Sequence, residues 1–157
     1  MPTNLYGEND NFHPNNSHVI PGLLQRFHEA KIKKDDLVEV WGSGNVLREF
    51  LYVDDAADAC ILVMNSDTEL YKKVTTDTLS QINIGTGIDI TIKELALLIK
   101  QVTNFKGKIV FNTNLPDGTP RKLLDISKIC SLGWKPKFTL LQGLQKTYDW
   151  YVKNYNK

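Results

Sequence analysis

The sequence predicts an α/β fold, and three observations carry that expectation. Short apolar runs stop at glycines: Leu5-Tyr6 before Gly7, Leu37 to Trp41 before Gly42-Ser43-Gly44, and Ile82-Asn83-Ile84 before Gly85. Between these runs, apolar residues recur at helical spacing, as in Ile20, Leu23, Leu24 and Phe27. A third segment, Asp55 to about Met64, carries Ala56, Ala57 and Ala59, small residues that let a helix lie close on a sheet.

In chain order, Thr3 to Gly7 reads as a strand end. Glu8 to Ser17 is polar and reads as a loop, which after a strand end is a common place for a ligand. The helix that follows spans about Ser17 to Ala30, and Pro21 fits only its first turn, so the cap lies at Ser17 or His18. His18 thus sits at a helix N-terminus beside a polar loop, where the dipole favours the neutral imidazole. A neutral imidazole suits general acid/base work; capping or packing is the plainer alternative. His28 falls on the exposed helix face, and Arg26 points away from the apolar stripe.

Val38 to Asp55 reads as strand, glycine turn, strand and capped helix, with Asp54 as the cap. The pattern holds the ring of Trp41 and the guanidinium of Arg48 on either side of the turn. A flat ring suits a base or sugar face and a planar fork of donors suits a phosphate; a core Trp41 and a surface-paired Arg48 are the alternative. Asn65 to Ser80 reads as a surface connection. Gly85-Thr86-Gly87 lacks the third glycine and the downstream acid of a dinucleotide fingerprint, so it reads as a turn.

Thr91 with Glu94 forms a capping box for a helix whose apolar face is Ile92, Leu95, Leu98, Ile99 and Val102. Lys108 to Phe111 is a strand, and Asn112 to Lys122 a loop in which Asp117 serves as a turn residue or presents a carboxylate to a ligand. Asp125 caps a short helix, Ile126 to Leu132, that stops at Gly133. Thr139 with Gln142 opens the last helix, about Leu140 to Asn154, with Leu141, Leu144, Tyr148 and Tyr151 near one face.

The 157 residues suit about one domain, with 41% apolar and 24% charged residues. A net charge of +1 gives no electrostatic case for nucleic acid or a membrane surface. No apolar run approaches the ~20 residues of a membrane span. Cys60 and Cys130, far apart in apolar helical contexts, read as two buried thiols of a cytoplasmic protein, with little support for a disulfide or a metal.

Arg48 to Asp55, Asn83 to Gly87 and Leu132-Gly133-Trp134-Lys135-Pro136 occur in the order found in extended short-chain dehydrogenases that act on nucleotide sugars. Pro2 to Gly7, Asp10 to Pro14 and Ser17 to Pro21 narrow the likeness, which runs over nearly the whole chain: it resembles the C-terminal part of the GDP-L-fucose synthase family. The resemblance implies a substrate-binding lobe with the last strands and a helix of a Rossmann domain. Residues 1–16 and 48–87 would be the Rossmann pieces, and 17–47 and 88–157 the lobe. The family converts GDP-4-keto-6-deoxy-D-mannose by epimerisation at C3 and C5 and reduction at C4 with NADPH.

By the same resemblance, His18 is the acid/base of epimerisation. Pro2, Thr3, Asn4 and Leu5, with His18, lie along the NADP(H) nicotinamide, and Arg26, Trp41, Arg48 and Asp117 contact the GDP-sugar. The family's Gly-rich cofactor loop, its Tyr and Lys four residues apart, and its upstream Ser and Cys have no match here. Tyr6, Tyr52 and Tyr148 are not followed by Lys at the fourth position. The chain alone is therefore expected to lack reductase competence and to form a homo-oligomer through exposed sheet edges. A non-catalytic GDP-sugar-binding or subunit-pairing module is the alternative.

Overall fold

A computed structural model describes residues 1–155. Six strands, β1 (Asn4–Tyr6), β2 (Leu37–Trp41), β3 (Leu47–Tyr52), β4 (Asp89–Thr91), β5 (Lys108–Asn112) and β6 (Arg121–Lys122), alternate with helices. The helices are α1 (Val19–Lys33), α2 (Val53–Met64), α3 (Thr68–Val74), α4 (Ile92–Thr103), α5 (Ser127–Ser131) and α6 (Leu140–Tyr155).

The central strand is β3. Its last three residues pair in parallel with β1. Its first three pair antiparallel with β4, and Leu47 and Arg48 pair in parallel with β6. The strand before the glycine turn belongs elsewhere, because β2 pairs in parallel with β5 in a separate two-stranded sheet. Gly42-Ser43-Gly44 therefore passes the chain from one sheet to another and is not a hairpin turn. Alternation along β3 places it between two cores. Phe50 and Tyr52 join a large cluster with α1, α4 and α6, while Leu51 joins a smaller one with Ala56, Ala59, Ile84, Ile129 and Trp134.

Both capping boxes form. Thr91 and Glu94 bond reciprocally at α4, and the Gln142 side chain accepts from Thr139 N as Gln142 N donates to Thr139 Oγ1 at α6. Asp125 Oδ1 accepts from Ser127 N at 2.8 Å at the start of α5.

Several expectations are corrected. Helix α2 begins at Val53 with Tyr52 in the cap position and no side-chain cap, so Asp54 lies inside the first turn. Asp55 is buried and accepts from Lys137 N and Phe138 N, tying α2 to the approach to α6. The connection after α2 contains α3, capped by Asp67 accepting from Glu69 N and Leu70 N. Ile84 makes only a bridge to Pro2, not a full strand. Cys60 and Cys130 are exposed, because the elements packed on α2 and α5 cover one face of each. Leu141 is exposed, while Leu144, Tyr148 and Tyr151 form the buried face of α6. His28 is buried, with Nδ1 2.9 Å from the Tyr148 hydroxyl, because α6 covers the face of α1 that the sequence leaves open. None of the described helices is long and apolar enough to cross a membrane.

Candidate functional site

Two cavities meet at the N-terminus of α1. One, of about 420 Å³, is lined by His18, Arg26, Trp41, Arg48 and Asp117, together with Asn4, Ser17, Val40 and Phe50. The other, of about 530 Å³, is lined by Thr3, Asn4, Leu5, Gly7 to Asp10, His18, Pro21 and Val53. Asn4, His18, Val19 and Phe50 belong to both walls. The structure thus brings together every residue singled out for the GDP-sugar. It also places Thr3, Asn4, Leu5 and His18, expected along a nicotinamide, on the larger cavity. Pro2 lines neither cavity and instead pairs with Ile84.

Each side chain has a local reason for its place. In β2, Val38 and Val40 point to the core while Leu37, Glu39 and Trp41 point outward, so strand alternation alone turns Trp41 to the cavity, 62% exposed. The Arg26 guanidinium lies 5.6 Å from the centre of its ring. Arg26 also donates from Nε to Gly22 O and from Nη1 to Glu39 O, which fixes the fork against α1 and β2. Burial lowers its pKa and Glu39 opposes that shift, yet a guanidinium stays charged.

Arg48 is half-buried and donates from Nη1 to Leu47 O at 2.7 Å. Among the described residues, neither Arg26 nor Arg48 is in an ion pair. Two cations facing one cavity without carboxylate partners suit an anionic ligand.

The turn between β2 and β3 is held from the far loop. Asp117 accepts from Ser43 N at 2.7 Å and from Ser43 Oγ at 2.8 Å, so both its oxygens are engaged. Gly42 has φ of +81°, and a Cβ there would overlap Asp117 Oδ1. Asp117 is therefore both a wall of the cavity and the clamp that sets the Trp41 end of β2.

His18 occupies the cap position of α1 with extended backbone and no side-chain capping bond. Its imidazole is exposed toward both cavities, so it neither caps nor packs. Asn4 Nδ2 donates to Glu49 O at 2.7 Å, joining β1 to the strand that carries Arg48.

The polar loop before α1 is not a loose connection. Phe12 is 1% exposed, its ring 4.7 Å from Tyr151 and 5.3 Å from Tyr155, with Trp150 at 6.0 Å. Asn11 Oδ1 accepts from His13 N, and Asn11 Nδ2 donates to Asn16 O. Sequence reasoning passed over Asp10, which lines the larger cavity. The available signal was one aromatic residue, Phe12, inside a polar run.

Gly85-Thr86-Gly87 is a turn, as expected, and its last amide and its hydroxyl are engaged. Gly87 N donates to Glu49 Oε1 at 2.7 Å, and the fully buried Glu49 carboxylate also accepts from Leu124 N at 3.0 Å. An anion there would meet a carboxylate in place of a free amide.

Residues 1–85 match the NAD dependent epimerase/dehydratase family. The chain belongs to that family, with its α/β, Rossmann-like fold. Within it, the chain is homologous to the GDP-L-fucose synthases. It is 57% identical over 154 residues to putative GDP-L-fucose synthase 2 of Arabidopsis thaliana, covering 98% of this chain and 44% of that protein. It is 54% identical to GDP-L-fucose synthase of Escherichia coli K12 over all of this chain and 49% of that one. A crystal structure of a GDP-L-fucose synthetase from Naegleria fowleri bound to NADP superposes with a TM-score of 0.86 at 30% identity, over 99% of this chain and 46% of that chain. A GDP-mannoheptose C4 reductase from Campylobacter jejuni with NADP bound gives a TM-score of 0.81 at 39% identity, over 96% and 51%. The chain spans about half the length of the curated relatives it matches.

Proposed function

We propose that this chain is the C-terminal, substrate-binding part of a GDP-L-fucose synthase, the enzyme that converts GDP-4-keto-6-deoxy-D-mannose to GDP-L-fucose by 3,5-epimerisation and NADPH-dependent reduction. The observation that carries the reading is the single cavity onto which Arg26, Trp41, Arg48 and His18 all face. The indole of Trp41 offers a flat apolar face to the guanine. The two unpaired guanidiniums meet the diphosphate. The sugar then extends toward His18, whose uncommitted imidazole moves a proton at the carbons beside the keto group.

For NADP(H), the residues present fit one end only. Thr3, Asn4 and Leu5 supply amide, hydroxyl and apolar surface for a nicotinamide, and Gly7 is packed so closely on Val53 that a Cβ has no room. The bound nucleotide would supply a hydride. The pyrophosphate end finds no cradle among the described residues, since of the two Gly-x-Gly turns Gly85-Thr86-Gly87 already bonds Glu49 and Gly42-Ser43-Gly44 already bonds Asp117. The chain alone is therefore not reductase-competent: mixed with NADPH and the keto sugar, it leaves the cofactor absorbance unchanged, and steady oxidation would refute this.

Calorimetry with GDP and GDP-mannose tests the pocket, with binding expected for both. No binding at millimolar ligand removes the proposal. Deuterium uptake from heavy water into the keto sugar, lost in His18→Gln, separates an epimerising lobe from a non-catalytic GDP-sugar module, which would bind without exchange. The free outer edge of β1 is available for self-association into a homo-oligomer, and a monodisperse monomer by light scattering would count against that.

A further inference from the structure

We propose that Asp10 is a positioning residue for His18: its buried, unpartnered carboxylate oxygen serves as the acceptor for an imidazole N–H and so fixes the ring's orientation and tautomer. The inference deepens the reading of His18 as the group that moves a proton and rests on it.

Asp10 and His18 line the same cavity. The two oxygens of Asp10 are not equivalent. Oδ1 accepts from Asn11 N at 2.7 Å, whereas Oδ2 is shut from water with no hydrogen-bond partner. A carboxylate oxygen in that state is costly unless a donor reaches it. The His18 side chain is the complement, since it makes no capping bond. Glu8, the other carboxylate on that wall, is exposed.

The loop is built to hold this arrangement. Phe12 is locked among the aromatic rings of α6, and Asn11 bridges to Asn16 and His13. Asn9 takes φ of +63°, a conformation that surrounding contacts must maintain. Burial raises the pKa of Asp10, and the Asn11 N–H and His18 oppose the rise, as expected of a carboxylate that feels the imidazolium. A carboxylate behind an acid/base imidazole sets which ring nitrogen carries the proton and stabilises the charged ring formed in transfer.

Carboxyl ¹³C NMR on the chain tests the pairing, with Asp10→Asn assigning the resonance. His18 acts to lower the Asp10 pKa. His18→Gln should therefore raise the Asp10 midpoint by about half a pH unit, and the control His13→Gln should leave it in place. A midpoint that His18→Gln does not move overturns the proposal. A second measurement keeps His18 intact: in Asp10→Asn the ¹⁵N shifts of the His18 ring should report a changed tautomer ratio at pH 8, with those of His28 constant. Should His18→Gln not fold, this measurement decides alone, and unchanged His18 ring shifts overturn the proposal. GDP calorimetry enters neither experiment, so failure of the nucleotide pocket and failure of this pairing are seen separately.

Discussion

Arg48→Ala is the sharpest test of the nucleotide pocket, because the structure separates what the residue does for the fold from what it offers a ligand. Among the described residues, Arg48 makes one side-chain hydrogen bond, to Leu47 O, and no ion pair. Its removal should therefore lower stability by about 1 kcal/mol or less. For the ligand, a half-buried guanidinium that is in no ion pair among the described residues is free to meet a diphosphate. One charge-assisted contact is worth about 1.5–3 kcal/mol, so GDP should bind about 10- to 150-fold more weakly to Arg48→Ala. Arg48→Lys keeps the charge without the planar fork and should recover part of the loss. Calorimetry at two salt concentrations, with thermal melts of each variant, makes the measurement. Two results refute the reasoning: GDP affinity equal to wild type in Arg48→Ala, or a loss that simply follows a collapse in melting temperature.

Three further expectations follow from particular contacts. Gly42→Ala forces a side chain into a backbone with positive φ and against Asp117, so stability should fall by about 1–3 kcal/mol, the Trp41 fluorescence should shift, and Asp117→Ala should relieve part of the loss in the double variant. Phe12→Ala removes a wholly buried ring at about 3–5 kcal/mol, and its signature is new protease cleavage within residues 8–17 before any cleavage of α4; an uncut loop would contradict the anchor. The Glu94 carboxyl is held below its usual range by the backbone N–H and the hydroxyl of Thr91. Its depressed folded value means that its contribution is complete above the unfolded value of about 4.3 and disappears as pH falls through the folded one. Denaturant melts should accordingly show Glu94→Gln less stable than wild type at pH 7, with the gap closing toward pH 2.

Much of the helical framework was legible because its signals are short-range. The reciprocal caps at Thr91 with Glu94 and at Thr139 with Gln142 each need only a few neighbouring residues. The sequence leaves Trp41 open between ligand face and core, and the structure settles it by turning Leu37, Glu39 and Trp41 outward along β2. The exposed face expected of His28 was wrong for the opposite reason: α6 arrives from 120 residues away, and no local pattern announces it. Phe12 belongs to the same case. Its polar neighbours describe a solvated loop, and only the distant rings of α6 turn it into a buried anchor. Asp54 and Asp55 could not be told apart by sequence, since the buried partner of Asp55 is the backbone of residues 137 and 138.

The sequence by itself determined the mix of strands and helices, the two capping boxes, and which residue types are suited to a base, a diphosphate and a proton. Those properties are set by backbone sterics and side-chain chemistry within one or two turns of chain. Only the tertiary structure decided that β2 and β3 run in different sheets, that Asp117 clamps the turn between them, and that two unpaired guanidiniums, an indole and an imidazole share one cavity. Residues 18 to 117 converge there because burying two apolar clusters on opposite faces of β3 leaves the chain few other ways to close.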